Sequence, residues 1–207
     1  MGLQVYFVRH GQTVWNVEKR MQGWQNSPLT SQGVLEADLL GKAMAQMVQD
    51  SDIDDIDRID TSPSKRAIQT AEHLNHFLNT KLETVPEFQE LNMGDWEGQY
   101  FAAIEAKDPK EWHDFWFDQS HYQPHNGGET FDELSKRVRT GFDRVAEEVK
   151  DGTIVIVSHR IAIRFLISSL VEENVLEIPD PKSTSLSHIR RDERGVYAVD
   201  FLNRIVY

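Results

Sequence analysis

The sequence predicts an α/β protein, a three-layer sandwich whose mainly parallel central sheet is covered by helices on both faces. Three observations predict it. Apolar strand-like runs alternate with helical segments along the 207 residues, and such alternation builds parallel sheets through helical crossovers. Two runs, Val5-Tyr6-Phe7-Val8 and Ile154-Val155-Ile156-Val157, are apolar without alternation, as strands buried on both faces require. No repeat, low-complexity tract or Gly/Ser linker divides the chain, so residues 1–207 are expected to form a single domain.

The elements follow in order. The first strand ends abruptly in Arg9-His10-Gly11. After a polar loop, a helix is expected over residues 30–48, with Pro28 just upstream. Residues 56–61 read as a short strand. Ser62 as N-cap, with Pro63 at the first helical position, opens a helix to about residue 78. Residues 81–85 supply a third strand, and residues 108–117 a short helix after an irregular approach. Thr130 and Glu133 have capping-box spacing and begin a long amphipathic helix to about residue 150. Asp151-Gly152 turns the chain into the strand 153–158, and a helix over 161–170 follows. Strands at 185–190 and 196–202 flank a turn at Glu193-Arg194-Gly195.

Composition narrows the function. A hydrophobic fraction of 39% and a charged fraction of 27% are those of a soluble globular protein. With 34 acidic against 22 basic residues, the chain lacks the clustered cations that nucleic-acid binding needs. The same excess does not exclude a phosphorylated small molecule, because a few arginines in a low-dielectric cleft outweigh a distant acidic surface. Much of the acid lies in the loop 50–57, read as solvated. No apolar run has bilayer length and no basic-then-apolar leader precedes the first strand, so no membrane partner and a cytoplasmic location are expected. The absence of cysteine excludes disulfides and thiol chemistry.

Three polar segments share one address. Arg9-His10 follows the first strand, Ser62 to Arg66 the second, and Ser158-His159 the strand 153–158. If these strands are parallel neighbours, all three segments meet at the carboxyl edge of the sheet, where α/β folds bind ligands. Arg9 offers a planar fork matched to phosphate oxygens, and His10 a ring nitrogen able to attack phosphorus. Thr13 and Asn16 offer further hydrogen bonds.

The pattern Arg9-His10-Gly11-x-Thr13-x-x-Asn16 resembles the signature of the histidine phosphatase superfamily, the phosphoglycerate-mutase-like enzymes. Ser62-Pro63-Ser64-Lys65-Arg66, Glu90-Leu91-Asn92-Met93-Gly94-Asp95-Trp96-Glu97-Gly98 and Val157-Ser158-His159 resemble its later motifs, in order and across nearly the whole chain. Met21-Gln22-Gly23-Trp24-Gln25-Asn26-Ser27-Pro28-Leu29-Thr30 resembles the branch of small bacterial broad-specificity phosphatases.

The resemblance implies a hydrolase of phosphomonoesters that works through a phosphohistidine on His10. Glu90 would be its general acid, and Arg9, Arg66 and His159 a cationic clamp that replaces a metal, so no cofactor is expected. Asn16, Gln22, Gly23 and Ser158 belong to the same motifs and are expected at the substrate. The helix N-terminus near Ser62 would favour the anion as well. Trp96 is expected to pack, and Glu97 to serve structure. The alternatives are a phosphoglycerate mutase, a dedicated alpha-ribazole phosphatase and, more remotely, a non-catalytic module that binds phospho-ligands. Monomer and homodimer both stay open.

Two features fall outside this pattern. The residue after the last-motif histidine is usually glycine in the family, whereas here it is Arg160, which either points to solvent, or narrows the pocket or adds a cation to it. Residues 112–125 carry Trp112, Phe115, Trp116, Phe117 and Tyr122 with three histidines. They are a satellite core under a loop, part of a lid, at about residues 100–128, whose Trp116 and Tyr122 touch the substrate, or both at once.

Overall fold

The computed structural model describes residues 2–207. Its strands are β1 (Leu3–Arg9), β2 (Arg58–Thr61), β3 (Lys81–Thr84), β4 (Gly152–Ser158), β5 (Leu186–Arg191) and β6 (Tyr197–Arg204). The α-helices are α1 (Val14–Glu18), α2 (Ser31–Gln49), α3 (Lys65–Leu78), α4 (Phe101–Lys107), α5 (Pro109–Phe117), α6 (Phe131–Val149) and α7 (Arg160–Val171).

The strands form one sheet in the order β3-β2-β4-β1-β5-β6. The four from β3 to β1 are parallel, whereas β5 lies antiparallel to β1 and β6 antiparallel to β5, so that β5 alone runs against the rest. Alternation along the strands divides the core. Val5, Phe7, Ile154 and Ile156 pack with Leu134, Phe142 and Leu166 of α6 and α7. Tyr6, Val8, Val155 and Val157 pack with Leu40, Ala67 and Leu74 of α2 and α3 on the other face. The predicted sandwich is therefore present, with α2 and α3 on one face and α6 and α7 on the other.

Capping explains the long helices. Thr30 accepts the Gly33 N–H, and Thr130 and Glu133 close a reciprocal capping box. Three local expectations need correction. The N-cap position of α3 is Ser64 rather than Ser62, and it makes no side-chain cap bond. The loop after β1 contains the five-residue α1, capped by Thr13 and Asn16. The irregular approach to α5 is the helix α4. Among the described residues, no helix is long and apolar enough to cross a membrane.

Candidate active site

The parallel ladder continues past the strand ends and sets the site. Arg9 pairs with Ser158 in register, and the His10 N–H then donates to the Ser158 carbonyl at 3.0 Å. On the other side of β4, the Ser62 N–H donates to the Val157 carbonyl, also at 3.0 Å. His10, Ser62 and His159 thus leave neighbouring strands at one level. Gly11 fits because its backbone lies against α2: a Cβ there would sit 2.7 Å from the Gly33 carbonyl oxygen.

His10 is buried, with Nδ1 2.8 Å from the Gly11 carbonyl oxygen. A carbonyl only accepts, so Nδ1 carries the proton and Nε2 keeps its lone pair. Arg66 Nε donates to that Nε2 at 3.3 Å. Burial, with Arg66 and Arg9 nearby, holds the ring well below the ordinary histidine range. The imidazole is therefore neutral and fixed, with its nucleophilic nitrogen facing a guanidinium.

His159 lies 5.1 Å from His10 between ring centroids and is also buried. Arg66 Nη2 donates to its Nδ1 at 3.1 Å, so its Nε2 bears the proton and donates to Ser62 Oγ at 2.7 Å. Burial, then the charge of Arg66, pushes its pKa well down too. His159 is thus a neutral ring and not the resident cation expected of it. This arrangement also explains why Ser62 is no helix cap: its hydroxyl serves His159.

Arg66 is the hub. Besides the two histidines, it donates to the Gln25 carbonyl at 2.7 Å and the Gly23 carbonyl at 2.8 Å. Its own N–H donates to Asn26 Oδ1. Burial lowers its pKa to about 10, but the group stays charged at neutral pH. Most of its donors hold protein, so it organises the site as much as it clamps a ligand. Gly23 contributes this carbonyl from a left-handed turn (φ +52°), where a Cβ would strike Glu97. Glu97 accepts the N–H groups of Trp24, Gln25 and Met93 and so builds that turn.

Arg9 donates Nη1 to the Pro181 carbonyl at 2.9 Å, and its buried Nε has no partner among the described residues. Burial, then the nearby Arg160, lowers its pKa to about 10. An unpartnered buried N–H beside a second cation is a place for an anion. Asn16 Oδ1 accepts the Thr13 N–H, and Gln22 Oε1 the Thr13 hydroxyl. With their oxygens so engaged, the two amides keep their NH₂ groups for the cleft that both line.

Glu90 occupies the N-terminus of α7. Its Oε1 accepts the Ala162 and Leu91 N–H groups at 3.0 Å each, and Oε2 accepts that of Ile161 at 3.2 Å. A helix N-terminus suits an anion, and here it positions the candidate acid itself. At α3 the Arg66 N–H is taken by Asn26 Oδ1, and of residues 62–66 only Arg66 lines the cleft.

The cleft is lined by Arg9, His10, Asn16, Gln22, Gly23, Arg66 and Glu90, with Arg20, Met21, Met93, Phe101, Phe115, Trp116, Arg160 and Ile161 around them. Three expected residues do not line it: His159, fully buried behind its bonds to Arg66 and Ser62, and two that point elsewhere. Ser158 turns its hydroxyl to the Phe88 carbonyl at 2.7 Å, because strand alternation points it toward the Ile154–Ile156 face. Tyr122 packs among Trp96, Phe115 and Phe131, and its burial pushes the phenol pKa upward. Both are core residues. The aromatic segment is thus neither all lid nor a satellite core: Phe115 and Trp116 reach the cleft, whereas Tyr122 belongs to the main core on the α6 and α7 face. Ser62 was expected here as a helix cap and serves His159 instead. Asn26, Asp180 and Pro181 were not anticipated: the first sits inside a recognisable motif, whereas nothing in the sequence marks the last two.

The buried histidines make stability depend on pH. Neutral in the fold, His10 and His159 would take up protons in the unfolded chain near pH 6.5, so folding becomes less favourable as pH falls below about 6.5. Each contributes a slope of up to about 1.4 kcal/mol per pH unit. His188, also lowered, acts in the same direction, and exposed His121, raised by Asp118, opposes it weakly. The Tm is expected to fall between pH 7 and pH 5.5, with a shallower fall in His159→Asn. A Tm that rises over that range would contradict the neutral-histidine assignment.

The family model described as histidine phosphatase superfamily (branch 1) matches residues 5–204. A probable phosphoglycerate mutase GpmB of Yersinia enterocolitica is 36% identical over 173 residues, covering 82% of this chain and 75% of that relative. Among solved structures, Bacillus stearothermophilus YhfR superposes with a TM-score of 0.86 at 30% identity, over 96% of each chain. The alpha-ribazole phosphatase of Shigella flexneri does so with a TM-score of 0.82 at 25% identity, over 98% of this chain and 97% of that one. A match over nearly the whole length, with the motif residues gathered in one cleft, places this chain in the histidine phosphatase superfamily, whose members are phosphatases or mutases.

Proposed function

We propose that this chain is a phosphomonoester hydrolase that takes small phosphorylated molecules through a phosphohistidine on His10. The observation that carries the reading is the fixed neutral imidazole, whose unprotonated Nε2 faces Arg66 in a cleft that Arg9 also lines. In the first half-reaction Nε2 bonds to phosphorus and the ester oxygen leaves, taking a proton from Glu90. In the second, Glu90 removes a proton from water, the water oxygen bonds to phosphorus, and inorganic phosphate departs from a neutral His10. Oε2 of Glu90 receives one backbone N–H where Oε1 receives two, so it is the freer oxygen to pass that proton. The charge on phosphorus is met by arginines and amides, and the reading includes no metal or other cofactor.

Hydrolysis is favoured over transfer within glycerate by the mouth of the cleft. Phe101, Phe115, Trp116 and two methionines line it. Its outer cations are already engaged. Arg160 is ion-paired with Asp180, whereas Arg20 donates to the Gly98 carbonyl and stacks against Trp15 and Tyr100. A substrate carboxylate finds no uncommitted cation there. The mutase reading is favoured by the identity to GpmB, and a dedicated alpha-ribazole phosphatase by the Shigella flexneri structure. Residues 100–128 act as a lid in this reading, with α4 and α5 supplying the aromatic wall.

Two measurements test it. With EDTA present, inorganic phosphate is expected to appear from aryl and alkyl phosphates faster than 3-phosphoglycerate converts to 2-phosphoglycerate; the reverse order overturns the hydrolase reading. Glu90→Gln is expected to slow alcohol release from alkyl phosphates by about a hundredfold or more, and from 4-nitrophenyl phosphate far less, because that leaving group needs no proton. Equal loss on both, followed as the first turnover, removes Glu90 from the acid role.

A further inference from the structure

We propose that Arg160 is a specificity-determining bar across the mouth of the cleft, held between Trp116 and Asp180, that limits the size of the alcohol the site admits. The inference rests on the cleft being the hydrolytic site. Arg160 is the first residue of α7, directly after His159. Its side chain does not run out to solvent. The guanidinium carbon lies 4.4 Å from the centre of the Trp116 ring. Nε donates to Asp180 Oδ1 at 2.9 Å and Nη2 to the second carboxylate oxygen, a two-point fork that a lysine cannot reproduce. Three segments far apart in sequence, α5, α7 and the loop before β5, are thereby tied together at the rim.

The effect is on room. The cleft encloses about 80 Å³, well under the roughly 300–1,000 Å³ of pockets that swallow a drug-sized ligand. A phosphoryl group and a few further atoms fit beneath the bar, and a larger alcohol must displace it. Displacement is cheap by construction. The side chains of Arg160 and Asp180 are 24% and 49% exposed, so the pair is partly wet and screened by salt. When Arg160 swings away, Asp180 keeps Arg164, whose Nη1 is 3.2 Å distant, and no carboxylate is orphaned. The bar therefore yields to a bulky group at a cost in binding, rather than excluding it outright.

The test compares kcat/KM for 1-naphthyl phosphate and phenyl phosphate in wild type, Arg160→Ala, Asp180→Asn and the double variant, each at low and high salt. The naphthyl:phenyl ratio is expected to rise about tenfold in Arg160→Ala, as removal of one wall group of a pocket does. Asp180→Asn should move it in the same direction, and the double variant no further than Arg160→Ala, because both remove one device. In wild type the ratio should climb with salt toward the Arg160→Ala value, whereas in that variant it should stay flat. Arg160→Lys, which keeps the charge but not the fork, should fall between. An unchanged ratio, additive effects or a salt-independent wild type would overturn the proposal, and the salt series needs no variant to fold. Both activities in wild type should require His10; if they do not, the site reading has failed and not merely the bar.

Discussion

His10→Ala is expected to lower kcat toward 4-nitrophenyl phosphate by at least about 10⁴-fold, the scale on which loss of a covalent nucleophile registers. The structure gives the reason. Nε2 of His10 is a ring nitrogen with a lone pair turned into the cleft, and its orientation is set by the bond from Nδ1 to the Gly11 carbonyl. His159, the nearest alternative, is fully buried behind Arg66 and Ser62 and does not line the cleft, so it cannot take over. Binding should survive the substitution, since Arg9 and the amides of Asn16 and Gln22 stand on other supports. Steady-state kinetics checks the loss and vanadate binding to the variant checks the retained site. Activity within tenfold of wild type would remove His10 from the nucleophile's role.

Arg66→Ala is the second large effect. Four contacts are lost together, to Gly23, Gln25, His10 and His159. A loss of about 10³-fold in kcat/KM is expected, as for removal of a preorganised donor aimed at developing charge. Stability should fall as well, because each carbonyl left buried and unpaired costs about 1–3 kcal/mol. The direction of a third change follows from electrostatics. Arg66 is the largest charge holding both histidines down, so its removal lets both pKa values rise and moves the acid limb of the activity profile to higher pH. Arg66→Lys should recover part of the pH behaviour but little of the rate, since an ammonium cannot span the loop and both rings. An unmoved acid limb would contradict the charge coupling.

How much of this was legible depended on where each signal resided. β1 and β4 could be read because a doubly buried strand has no polar positions to blur it, and α2 and α6 because Thr30 and Thr130 cap them. The short helices were not legible. α1 is one turn held by a Thr13–Asn16 exchange, and α4 carries only Phe101 and Ile104 on its apolar side before Asp108-Pro109 interrupts. The site was legible as a set of residues at strand ends, but not as a network. Ser158 sits beside His159, yet strand alternation sends its hydroxyl to Phe88. Trp116 and Tyr122 are equally aromatic, and only packing decides that one ring faces the cleft and the other the core. Asp180 and Pro181, which hold Arg160 and Arg9, lie about 20 and 170 residues from their partners; no local pattern announces such contacts.

The central claim is the covalent intermediate on His10. Rapid acid-free quenching of enzyme with phosphate-labelled aryl ester, followed by peptide mapping, tests it most directly. A phosphoryl group stable to base and labile to acid is expected on Nε2 of His10, formed and discharged to inorganic phosphate at least as fast as kcat. Turnover with no phosphoenzyme on His10, or with the label on another residue, would contradict the account.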